Sequence, residues 1–127
     1  MKNLKLKFSR MLTCYGSISY IAAKKSPVGS QDIMEMIGLT PLERLEFACN
    51  ATSATLPDLE KAKVLYEWFL EETDVTEAEL LSRFGDKADR TDAFRKADQF
   101  GKHIFEIVKT VAEQNNYLRF LIVWCFL

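Results

Sequence analysis

The chain has 127 residues, 48% of them apolar and 28% charged, with only five Gly and three Pro. That length makes one domain with a real core, and so few turn formers exclude a loop-rich or all-β protein. The net charge of −1 lacks the basic excess of a nucleic-acid-binding domain, but residues 1–25 hold six bases and no acid, against eleven bases and eighteen acids in the remainder.

At the N-terminus Leu4, Phe8, Met11, Leu12 and Tyr15 fall at i, i+4, i+7, i+8 and i+11, one face of a helix, with Lys2, Lys7 and Arg10 opposite. Alternation of Leu4, Leu6 and Phe8 is the competing strand reading, and it accounts for fewer residues. Gly16 and Ser17 weaken any continuation, and SPVGS over residues 26–30 is a break. Residues 1–29 thus read as a basic amphipathic arm packed on a helical domain of residues 30–127. In that domain Ser30 caps a short segment through Ile37, with Gly38 as its stop.

The sharpest helix start is TPLE, where Thr40 is an N-cap, Pro41 opens the helix and Glu43 completes a capping box. Pro57 and Asp58 open a second helix that runs to about Glu72. Thr76 with Glu79 forms another capping box, whose helix ends at Gly85. The longest element runs from near Thr91 to about Asn115, with a stripe of Phe94, Ala97, Gly101, Ile104, Phe105, Val108 and Ala112. Residues 118–127 suit a strand by composition but lack a partner strand, which favours a buried helix. The fold class is therefore mostly α, a compact multi-helix bundle with a basic N-terminal arm.

Residues 76–100 have the outline of a helix-turn-helix, the reader helix carrying Arg90, Arg95, Lys96 and Lys102. With Gly85 in the turn, the close-approach position falls on Leu81, which is too large, and an apolar anchor position falls on Thr91. Asp89, Asp92 and Asp98 interrupt the bases and would face phosphates, where neutralisation is the main source of affinity. Alternating charge of this kind marks a solvated face.

Chemistry is poorly represented. Cys14, Cys49 and Cys125 are isolated, with no zinc spacing, and read as buried or half-buried thiols in a reducing cytosol. His103 stands alone, and with Glu106 it supplies two ligands, too few to hold a metal. A cysteine nucleophile working with His103 would need a third, orienting group. The acids Glu71, Glu72, Asp74, Glu77 and Glu79 lack the order of a calcium loop and read as a solvated corner. Neither a catalytic centre nor a cofactor is expected. Lys5, Lys7 and Arg10 interrupt any secretory signal core, and the apolar run of residues 120–127 is too short to span a bilayer.

The apolar excess is the informative feature. In VLYEWFL, residues 64–70, only Glu67 is polar, far more than the roughly 100° stripe that a surface helix hides. Trp and Tyr anchor protein interfaces, so Tyr66, Trp68 or Phe69, or else Trp124 in the C-terminal run, are expected to touch another chain. The sequence reads as a small cytoplasmic, non-enzymatic helical protein acting through protein–protein contacts, as a homo-oligomer, adaptor or inhibitor. The alternative is a divergent helix-turn-helix DNA-binding regulator.

Overall fold

A computed structural model describes residues 2–24 and 29–114, and the described chain is helical with no strand. The expectations for residues 118–127, Trp124 and Cys125 lie outside the described residues.

The N-terminal arm is the first finding. It continues as one rod through α1 (Lys2–Lys5), a π-helical turn (Leu6–Arg10) and α2 (Met11–Ala23). Leu4, Phe8 and Leu12 are buried, with Met11 and Tyr15 packed partly against the core, as the spacing requires. Gly16 does not weaken this rod. It is buried where α4 crosses, and a Cβ there would lie 2.8 Å from the Pro41 carbonyl oxygen. Ser17 also serves the crossing: its hydroxyl donates to the Thr13 carbonyl at 3.0 Å and accepts from Arg44 Nη1 at 3.0 Å.

After the break come α3 (Ser30–Ile37) and α4 (Pro41–Ala51). Gly29, rather than Ser30, is the α3 N-cap, and its N–H donates to Asp32 Oδ2 at 3.0 Å. The α4 capping box forms as its sequence specifies: Glu43 N–H donates to Thr40 Oγ1 at 3.2 Å, and Thr40 N–H donates to Glu43 Oε1 at 3.3 Å.

A 3₁₀ turn (Ser53–Thr55) leads into α5 (Leu56–Thr73), with Pro57 in its first turn. Helix α6 (Glu77–Arg83) is capped by Thr76, which accepts from the Glu79 N–H at 3.3 Å. The long α7 (Lys87–Gln114) begins earlier than Thr91, because Asp86 Oδ1 accepts from the Ala88 N–H at 3.0 Å and holds the first turn.

Helix α7 is the spine. The N-terminal rod runs parallel to it, with Lys7 Nζ 3.2 Å from Asp98 Oδ1 and Met11 against Gly101. Ala93, Ala97 and Gly101 recur every four residues and let the rod approach closely. Helix α5 runs antiparallel on the other side, where Asp58 meets His103 and Trp68 meets Lys96. Two flanks explain why α7 buries Ala93, Phe100, Ile107 and Val111 beyond its expected stripe. Phe105 departs from that stripe and is exposed. Phe8 joins the layers: its ring stacks on Phe69 at 4.6 Å and on Phe100 at 4.9 Å, with Trp68 at 6.1 Å.

Candidate interaction surfaces

Helix α5 sorts its apolar run by the 3.6-residue period. Leu59, Ala62 and Phe69 are buried. Phe69 is 3% exposed and stacked on Phe8, so it serves the core and leaves the set expected to meet a partner. Tyr66 is half-buried, its ring 5.9 Å from Phe69 and 6.1 Å from Phe100. Trp68 is also half-buried, one edge towards Phe8 and the Lys96 ammonium 4.2 Å from its ring centroid. The outward residue is Val64, 64% exposed and one turn before Trp68, on a face it shares with the exposed acids Glu60, Glu67 and Glu71. Val64 and Trp68 form one strip, and Leu70, 48% exposed, lies on the opposite edge of the helix. The sequence contained the signal for Val64, since three glutamates occupy positions three and four away or one further turn along the same face.

The basic residues of α7 are interleaved with acids. Arg95 pairs with Asp92, and Lys96 reaches the same carboxylate at 3.2 Å. The hydrogen bond from Arg95, then that from Lys96, holds the Asp92 carboxyl below the usual range. Arg90 is exposed beside a cleft lined by Leu4, Leu81, Phe84 and Phe94. Lys102 is exposed on the rim of a groove of about 510 Å³ between the rod and α7, with Lys7, Asp98 and Glu106. Met11, Ala97 and Ile104 form the apolar floor of that groove.

His103 pairs across helices rather than along its own. Its Nδ1 lies 3.0 Å from Asp58 Oδ1 on α5, not on Glu106. The orienting carboxylate that a cysteine nucleophile would need is therefore present. Cys49 does not match it: the residue is fully buried, and desolvation pushes its thiol up to about 11, against a weaker opposing hydrogen bond with Thr55. A thiol so placed is protonated and inert at neutral pH. Cys14 is exposed, contrary to the buried or half-buried placement expected.

The acidic corner between α5 and α6 is closed by an ion pair, Arg83 Nη1 to Glu72 Oε2 at 2.9 Å. Among the described residues, no cluster of His, Cys, Asp and Glu could hold a metal ion, and no helix is long and apolar enough to cross a membrane. No family model, no curated protein and no solved structure matches this chain.

Proposed function

We propose that this protein is a non-enzymatic helical module that acts through contacts with another protein chain, and that the Val64–Trp68 strip of α5 is the contact face. The observation that carries the reading is Val64, a β-branched apolar residue 64% exposed beside a half-buried tryptophan. An aromatic anchored on one edge and open on the other loses little side-chain entropy on binding, which is why such residues become interface anchors. The free thiols of Cys14 and Cys49 suit a reducing, cytoplasmic setting.

Trp68 is a poor single probe, because removing it disturbs both the strip and the core. Val64 is better. A photo-crosslinking phenylalanine analogue at position 64, in an extract of cells that express the protein, is expected to give discrete adducts, whereas the same analogue at the exposed Glu79 gives none. Val64→Glu should weaken capture by roughly thirtyfold, the size of losing an anchor worth about 2 kcal/mol. Its unfolding free energy should change by no more than the small range of surface substitutions, about ±0.5 kcal/mol. Equal adducts at both positions would sink the reading.

DNA binding is the second reading, and the exposed Arg90 and Lys102 are what favour it. Arg95 and Lys96 are already committed to Asp92. Gel-shift titration with random duplex DNA is therefore expected to show weak binding that salt abolishes. Tight, salt-resistant binding to one site would put the regulator reading first.

A further inference from the structure

Helix α3 is fastened to the bundle by polar contacts at both of its ends. Lys24 follows α2, and its Nζ lies 3.5 Å from Asp32 Oδ1 and 3.9 Å from Glu35 Oε2. The same ammonium lies 4.9 Å from the ring centroids of Tyr20 and Phe47, which are 4.6 Å apart. At the other end Arg44 Nε donates to the Met36 carbonyl at 2.9 Å, while its Nη1 donates to Ser17 Oγ. That carbonyl belongs to the last turn of α3, where the helix dipole favours a cation. Asp32, Ile33 and Met36 are half-buried against the bundle, and none of the eight residues of α3 is buried.

We propose that Tyr20, Lys24, Arg44 and Phe47 form a receptor for an acidic helix, that α3 fills it in cis, and that an acidic helix of a partner protein displaces α3. The inference rests on the protein–protein reading above and adds a second surface with a defined ligand chemistry. Helix α3 itself shows what the surface takes. Its two charged residues, Asp32 and Glu35, are both acids, and both lie within ion-pair reach of Lys24. No acid on the receptor side competes with them. Helix α2 carries none, and on α4 Glu43 is engaged in the capping box while Glu46 pairs with Lys63. The two aromatic rings hold the Lys24 ammonium in place when its carboxylates leave.

Displacement is easy because α3 is weakly held. Partly exposed ion pairs contribute little each, and a helix with no buried residue gives up little apolar contact when it leaves. Helix α3 therefore opens while α2, α4, α5 and α7 stay packed. What favours the closed state is the tether, which keeps α3 at a high effective concentration over its receptor. An acidic helix longer than the eight residues of α3 offers the same carboxylates with more surface to bury, and so overcomes that advantage.

Amide exchange and a peptide titration, both read by nuclear magnetic resonance on the full chain, test this. The α3 amides are expected to exchange at least about tenfold faster than those of α4, because α3 opens alone. Lys24→Glu should speed α3 further without touching α5 or α7, and adding Asp32→Lys with Glu35→Lys should restore its protection. The probe in trans is a synthetic peptide of residues 29–39, titrated to about 5 mM, above the roughly millimolar effective concentration of a short tether. In the Asp32→Lys, Glu35→Lys variant, whose own α3 is repelled by Lys24, the peptide should shift the amide resonances of Tyr20, Lys24, Arg44 and Phe47. The wild-type chain should bind it at least about tenfold more weakly, since α3 competes in cis. The same peptide with Asp32→Asn and Glu35→Gln should shift nothing. Exchange of α3 in step with α4 overturns the proposal, as does equal affinity in the two chains or no shift in the variant. Random duplex DNA moving the same four resonances as strongly as the peptide also overturns it, in favour of a polyanion site. Each outcome leaves the crosslinking at position 64 on α5 to be judged on its own.

Discussion

Phe8→Ala is expected to lower the unfolding free energy by about 3–5 kcal/mol, the range for an aromatic truncated in a closed core. Phe8 is fully buried, and its ring touches three others drawn from α5 and α7. Each close aromatic pair adds about 0.5–1.5 kcal/mol beyond burial alone. The partners Phe69 and Phe100 belong to rigid helices and cannot collapse fully into the space, so a cavity remains. Against a typical total of about 5–15 kcal/mol the loss is large. Leu6→Ala, two residues away at 36% exposure, supplies the contrast and should cost far less. Urea unfolding of the two variants measures both. If Phe8→Ala costs no more than Leu6→Ala, the N-terminal rod is a peripheral arm and not part of the core.

The second large effect is a pair of opposite signs from the same substitution. Glycine in a helix interior is about 1 kcal/mol worse than alanine, so Gly→Ala at an open site stabilises. At Gly16 the new methyl would sit 2.8 Å from the carbonyl oxygen of Pro41, the first residue of α4. That atom is backbone, and α4 is fixed there by its own capping box. Relief requires α2 and α4 to separate, a cost of about 1–3 kcal/mol for overpacking. The clash exceeds the propensity gain, so Gly16→Ala destabilises and Gly16→Val does so further.

At Gly101 the nearest atom to a new Cβ is Met11 Sδ at 3.4 Å, the end of a flexible side chain that can turn aside. There the propensity gain decides, and Gly101→Ala is expected to stabilise by up to about 1 kcal/mol. Thermal melts of both variants read the signs directly. Stabilisation at both positions would mean that α2 and α4 are not in close backbone contact at Gly16.

Local chemistry decided the element boundaries. Thr40 with Glu43, Pro57 in its helix's first turn, and Thr76 ahead of Glu79 act within one turn of chain, so α4, α5 and α6 begin where their residues dictate. The spacing of Leu4, Phe8 and Leu12 likewise named the buried face of the first rod before any partner was known. The start of α7 was legible too, but Asp86 as its cap was overshadowed by the charge alternation that follows it.

What tertiary structure decided is which neighbour covers each face. Periodicity marks a face as apolar and says nothing of what lies against it. Gly16 has the sequence appearance of a weak point in a helix, and only the crossing of α4 makes it a contact. Phe69 and Val64 belong to one apolar run, and only the position of Phe8 sends the first inward while the second stays in water. Helix α3 shows the limit most plainly. Its apolar face would be assigned to the core by pattern alone, yet Lys24 and Arg44 hold its polar side to the bundle and turn Met34 and Ile37 outward. Charges that flank it in the chain, Lys24 at the end of α2 and Arg44 in α4, set that orientation once α2 and α4 have crossed.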